Sequence, residues 1–466
     1  MNKNAISLHP ANPHYFIFRG KPTVLITSGE HYGSVLNLDF NYRKYLDTLR
    51  NENFNHTRLF VGVYREQPDE WWPKNSLGPK LNRFVCPFGR SHVSGSRDGG
   101  NKFDLNRWDE VFFSRLRDFC QLADERGIVV EINLFCPHYV GHDGKDEKGL
   151  VRWNLSPFHP DNNVNDLGEI PPTELFTLKH MTLLKYQDAM VKKIIQEVNG
   201  HDNLYYEICN EPYFGCVTIE WQHYIAELIL NVEMRLPLQH LVSRNVAHEW
   251  AEVTESHPAI SILNFHYPRP EPKCVTLNYH LDRLIGCNET GFDGSSDEPY
   301  RIQAWQFMLA GGGLFSHLDV SFCVGDEGGA RRLREVNFGG GARIRKQLRI
   351  LKDFMEGFDF VHMAPNNAAI ADRGGASAVY VLAEQGRQYA VYIRCEDSEE
   401  CGSVTLNVPD GQYTVEWVDT REGFIGSPEV LASVEEKLVL RPHKFHSDIG
   451  AKILNVLQNK RVQATQ

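Results

Sequence analysis

No run of eighteen apolar residues occurs in this 466-residue chain, and its opening, MNKNAISLHPANPHYFIFRG, lacks the apolar stretch of a secretion signal. A membrane-spanning segment is therefore not expected, and a cytoplasmic protein is. No basic tract offsets the net charge of −11, which argues against nucleic acid or an anionic membrane as a partner. No Cys-x-x-Cys occurs among the ten cysteines. Cys136, Cys209 and Cys287 fall inside apolar runs and read as small buried hydrophobes. Cys395 and Cys401 form only a C-x5-C pair in a polar loop, so a zinc site is not expected and a reduced setting is. No G-x-G-x-x-G opens the first helix-like segment, which argues against dinucleotide binding. Neither AGGG (310–313) nor FGGGAR (338–343) fits the G-x4-G-K-[ST] phosphate cradle; both read as tight turns. No cofactor is expected, and the oligomeric state is open.

What the chain does have is core-forming material: 42% hydrophobic residues, including eighteen Tyr, eight Trp and twenty-six Phe. That composition suits a globular protein with one large domain and a small one. Through its first three-quarters, strand-like and helix-like segments alternate. The strand-like ones are 23–28, 56–62, 128–135, 204–209, 241–246, 260–266, 283–289 and 312–319. Helical periodicity falls between most of them, as in 105–127, 180–199, 218–235, 298–310 and 342–357. Eight such units over roughly 330 residues predict an α/β chain folded as a (β/α)8 TIM barrel with long insertions, residues 1–358. Beyond that, short period-two runs such as AVYVLAE, QYAVYIRC and KLVLRP, broken by Gly, Asp and Pro, predict a small antiparallel β-sandwich domain, residues 359–466.

In a barrel of this kind the chemistry sits at the C-terminal ends of the strands. Glu211 ends strand four in CNEP and Glu289 ends strand seven in CNETG. Strands four and seven face each other across the mouth, so the two carboxylates can converge on one cavity. Two carboxyl groups about 5 Å apart are what retaining glycoside hydrolysis requires, one as acid/base and one as nucleophile. The plainer alternative, that Asn-Glu-Pro is only a strand-to-helix turn, holds better for one such Glu than for two. Glu207 and Glu131 share strand faces pointing into the barrel and read as structural, paired or protonated.

The segments YYEICNEP and IGCNETGF, with HTRLF at strand two and NFHYP at strand six, resemble clan A glycoside hydrolases such as the family 5 cellulase-type barrels. The small β-domain after the barrel is similar to that of apiosidase-like members. The resemblance implies Glu211 as general acid/base, Glu289 as nucleophile, Asn210 on the sugar 2-hydroxyl and Arg58 supporting Glu289. Clan A barrels often carry a Trp at the end of strand eight as a sugar platform; here that end reads FSHLDVSF, offering His317 and Asp319 instead.

Further substrate-binding candidates follow from position. His266 and Tyr267 at strand six can orient the nucleophile, and His31 and His138 can bond sugar hydroxyls. Trp71, Trp72, Tyr139, Trp153 and Trp250 offer platforms for sugar faces, although any one of them can equally anchor a loop. Long loops two (63–104) and three (136–179) would wall the mouth on one side and favour action at chain ends. The expected partner is thus a carbohydrate substrate. Two other readings stay open: a metal-dependent barrel isomerase or deacetylase with Glu211, His266, Glu289 and Asp293 as ligands, and a non-catalytic sugar-binding barrel.

Overall fold

A computed structural model describes residues 4–140, 147–255, 257–331, 337–396 and 401–457. Eight parallel strands form one sheet: Leu25–Gly29, His56–Phe60, Val129–Phe135, Leu204–Cys209, Val242–His248, Ile262–His266, Leu284–Glu289 and Leu314–Leu318. Their order runs 1-8-7-6-5-4-3-2, so each pairs with its chain neighbour and the first and second meet at the seam. There the Asn55 side chain accepts from Ile26 N–H and donates to the Val24 carbonyl. This is a (β/α)8 barrel. Helices such as Tyr42–Asn51, Met181–Val198, Ile219–Glu233, Glu298–Leu309 and Ala342–Glu356 cover the sheet. Among the described residues no helix separates strands five and six. Nor is any described helix long and apolar enough to cross a membrane.

The strands were legible because burial on both faces makes most of their positions apolar, with Arg58, Glu131, Glu207 and Glu289 as charged exceptions. The stretch 105–127 differs from its expectation of one helix. Asn101–Trp108 is a strand, paired in a hairpin with Phe88–Ser94, and the helix runs only from Glu110 to Glu125. Asp109 sets that start, accepting from the N–H groups of Val111 and Phe112. A three-stranded sheet over Ser7–Thr23 was also unforeseen. Its Phe16 joins Leu25, Val129, Ile262, Leu284 and Leu314 in an apolar layer that plugs the barrel floor.

After Glu356 the chain forms antiparallel sheets of six and three strands around their own apolar core. They are fastened to the helix Glu298–Leu309. Trp305 stacks on Tyr392 with ring centroids 5.8 Å apart, and Arg301 pairs with Asp448 at 2.6 Å, all four side chains buried. Gly450 passes so close that a Cβ there would stand 2.8 Å from the Trp305 ring. Cys136, Cys209 and Cys287 are buried and free, whereas Cys395 and Cys401 are joined as a disulfide.

Candidate active site

Below the mouth, the barrel interior is organised by one cation. Arg58 of strand two is fully buried and reaches Glu131 Oε1 at 3.0 Å, Asn210 Oδ1 at 2.8 Å and Glu289 Oε2 at 3.1 Å; it also donates to Glu207. Burial works against its charge, but Glu207, Glu131, Tyr32 and Glu289 outweigh that and hold the guanidinium charged. Asn133, Asn264 and Asn288 donate to Glu207 at 2.6, 2.9 and 2.6 Å. Burial pushes the Glu207 carboxyl up and neighbouring Glu131 adds to that, with Arg58 opposing. Gly286 of strand seven makes this network possible, because a Cβ there would lie 2.3 Å from Asn264 Oδ1.

Glu289 rests on this platform. Its Oε2 accepts from Tyr32 O–H at 2.8 Å as well as from Arg58, and its Oε1 accepts from Tyr267 O–H. Burial first, and the Glu289 charge next, keep both phenols protonated far beyond neutral pH. Glu289 is thus a carboxylate held by three donors, two of them neutral.

Glu211 is surrounded differently. His248 Nε2 and His266 Nδ1 meet its Oε1 at 2.6 and 2.8 Å, and His138 Nε2 comes within 2.7 Å of Oε2. Burial alone would raise the carboxyl, yet His138, His248 and His266 together hold it well below the usual carboxylate range. The backbone at Glu211 is strained, with φ +40°, a left-handed conformation that a residue with a side chain rarely adopts. Asn245 Oδ1 fixes that conformation by accepting the Glu211 N–H at 3.2 Å.

His266 links the two acids. Its Nδ1 lies 2.8 Å from Glu211 Oε1 and 3.7 Å from Glu289 Oε1, so those oxygens are at most about 6.5 Å apart. Both carboxylates open into one cavity of about 500 Å³, within the size range of small-molecule sites. Aromatic side chains line much of it, among them Trp71, Trp72, Phe214, Tyr267, Phe292 and Phe338. Loops two and three are clamped together on one side, where Arg152 pairs with Glu70 at 2.7 Å.

Of the residues expected from the sequence, Glu211, Glu289, Asn210, His31, His138 and Tyr267 line the cavity, while Arg58 and His266 lie directly beneath it. Four do not belong to it, the first being Tyr139, which is buried between Tyr64 and Trp153. Trp153 is buried against Tyr139 and His159, anchoring loop three. Trp250 is half-exposed outside, near Lys273. His317 is a core histidine, bonded to Ser28 and packed on Tyr300. Burial lowers its pKa to about 4.

His248, Tyr32, Glu66 and Arg152 were not anticipated. His248 follows a bulge at Asn245–Ala247, which shifts the register of strand five and re-aims the next side chain at Glu211. The rule that strand ends carry the chemistry would have found it, had strand five been carried two residues further. Tyr32 adjoins His31, and Glu66 accepts from His31 Nε2 at 3.1 Å and Trp71 Nε1 at 3.2 Å.

A metal ion would find its donors in Glu211, His248 and His266, whose ligand atoms all lie within 4.8 Å of one another. This set omits Glu289 and Asp293, which the sequence had suggested; Asp293 instead faces Arg269 at 3.5 Å. A ligating histidine normally donates its second ring nitrogen to an outer acceptor. His266 Nε2 is buried and has no partner among the described residues, so that outer acceptor is missing at one of the three donors.

Comparison with known proteins adds the following. Residues 33–191 match the model of a family described as a domain of unknown function, DUF6298. No curated protein matches the chain. Among solved structures, a candidate glycoside hydrolase from Bacteroides vulgatus ATCC 8482 superposes with TM-score 0.68 at 14% identity, over 98% of this chain and 83% of that one. A glycoside hydrolase family 5 protein from the same organism gives 0.62 at 12%, over 97% and 94%. A family 5 mannosidase from Rhizomucor miehei gives 0.50 at 10%, over 75% and 97%. At such identities the likeness establishes the shared fold.

Proposed function

We propose that the protein is a retaining glycoside hydrolase that cleaves O-glycosidic bonds of an oligo- or polysaccharide from chain ends, with Glu289 as nucleophile and Glu211 as acid/base. The observation that carries this reading is the pair of carboxylates in one cavity, facing a single imidazole nitrogen within 2.8 and 3.7 Å. Their spacing limit of about 6.5 Å suits the ~5–5.5 Å of retaining enzymes better than the ~6.5–9.5 Å that leaves room for a water. The glycoside hydrolases among the solved structures of this fold support the same class.

The two environments divide the labour. Arg58, Tyr32 and Tyr267 aim Glu289 at the anomeric carbon as an ionised nucleophile. As its C–O bond forms, the bond to the leaving oxygen breaks and Glu211 delivers a proton there. In the resting site that proton is held among Glu211, His138, His248 and His266. Passing it from an imidazolium to the carboxylate restores the acid form without changing the net charge of the group. In the second step Glu211 takes a proton from water, which attacks the glycosyl ester and frees Glu289. Asn210, oriented by Arg58, would meet the 2-hydroxyl. The clamp of loops two and three closes the pocket on one side, which supports action at chain ends.

Proton NMR of the first-formed product tests the mechanism. Retained anomeric configuration is expected; inversion would overturn the nucleophile assignment. A metal-dependent reading rests on the Glu211, His248 and His266 set, and it requires activity to vanish on chelation and return with a divalent ion.

A further inference from the structure

A second cavity, of about 720 Å³, opens beside the first, and Arg269 lines both. The two therefore meet at one side chain. Its walls come from both parts of the molecule: Glu249, Arg269, Asp293, Gln303 and Gln306 from the barrel, and Arg394 from the strand Gln388–Arg394 of the C-terminal sheets.

The lining mixes Pro270, Pro299 and Ile302 with polar side chains that are sparsely hydrogen-bonded. Arg269 is held only loosely, 3.5 Å from a half-exposed Asp293. No ion pair engages Arg394 among the described residues, because its cross-strand partner Asp448 is taken by Arg301. Gln303 is tied to Asp293 at 2.9 Å, whereas among the described residues no side-chain hydrogen bond holds Gln306. Two cations, three acids counting Glu298, and two amides give donors and acceptors in near balance. Such a surface suits neutral polyhydroxylated residues rather than a strongly charged ligand.

Position ties it to the active site. Glu249 directly follows His248, which touches the Glu211 carboxyl, and Arg269 lies two residues beyond Tyr267, which touches Glu289. The second cavity therefore reaches the mouth beside the partners of both acids.

We propose that this second cavity binds sugar units of a neutral oligosaccharide beyond the one held in the first cavity, and that Arg394 makes the C-terminal sheets part of the substrate site. This rests on the hydrolase reading. A pocket closed around the terminal sugar and a groove beyond it together suit removal of end units from a longer chain.

The test uses the full-length Glu289→Gln variant, which does not consume its ligand. It measures calorimetric binding of a panel of neutral tetrasaccharides and the matching disaccharides. Added Arg394→Ala should weaken tetrasaccharide binding at least fivefold and change disaccharide binding less than twofold, with Arg394→Lys recovering part of the loss. Ser296→Trp, which fills the groove from its loop, should give the same split and serves if Arg394→Ala folds poorly. Equal effects on both lengths, no effect, or no binding by any panel member would overturn the proposal. Turnover by the unaltered protein of a tetrasaccharide that binds is read separately: if binding splits by length but no cleavage follows, the hydrolase reading falls and the groove stands.

Discussion

The barrel mouth and the C-terminal sheets are built on opposite terms. Around the mouth, Tyr32, Glu211, Glu249, Tyr267 and Phe292 all take positive φ without being glycine, and Arg58, Glu131, Glu207, Glu211 and Glu289 are buried together. Strain of this kind costs ~1–3 kcal/mol per residue. Among the described residues of the C-terminal sheets, positive φ at non-glycine residues occurs only at Glu435, Glu436 and Ser447, outside the strands, and the core is almost wholly aliphatic and aromatic. The sheets minimise their own free energy. The mouth gives up stability to hold two carboxylates in a geometry that no relaxed chain would adopt, and the apolar barrel wall and floor compensate.

Substitutions can sharpen that contrast. The largest effect belongs to Glu289→Ala, which should lower turnover on the order of 10⁵-fold while raising thermal stability, because it removes a charge from a crowded site. A variant less stable than the parent would show that the site is not strained as described. Glu211→Ala should cost on the order of 10²–10⁴-fold on substrates with poor leaving groups, and far less on activated aryl glycosides that need no protonation. Equal losses on both would remove its role as acid.

Arg58→Met tests the platform beneath. It leaves Glu131, Glu207 and Glu289 without their shared cation and should destabilise the fold by ~3–5 kcal/mol in denaturant titrations, with activity lost as well. In the sheets, Asp448→Ala strands Arg301 in the same way and should also cost about 3 kcal/mol or more. There, however, kcat per folded molecule should stay within a few-fold. A large kcat defect would mean that the sheets reach the chemistry through the helix Glu298–Leu309.

The smallest effect is one of pH. His317 titrates near 6.5 when unfolded and is pushed down to about 4 by burial in the fold. Between those values the unfolded chain binds the extra proton, so stability falls as pH drops from 6.5 towards 4, by about 3 kcal/mol at most. His317→Gln should flatten that slope in urea titrations; an unchanged slope would place the acid sensitivity elsewhere, as among the mouth histidines.

Much of this was legible in the chain. Burial on both faces makes most of the barrel strands rich in apolar residues, and all eight stand out, each within a few residues of its final bounds. Glu211 and Glu289 are conspicuous because a carboxylate closing such a run interrupts its pattern. The N-terminal sheet and the loop-two hairpin were not visible, since short edge strands with mixed polarity look like loop. Trp153, Trp250 and His317 show the same limit for side chains. Residue type said that they can stack or bond, but only packing determines whether they face a cavity, the core or water.

The sequence by itself determined the period of its elements, the barrel they build and the two acids at strand ends, because each follows from local patterning along the chain. Tertiary structure alone decided that His138, His248 and His266 gather on one acid and that Tyr32 joins Arg58 and Tyr267 on the other. Those partners come from five different strands and loops, and electrostatic environment depends on distances across space that no local pattern encodes.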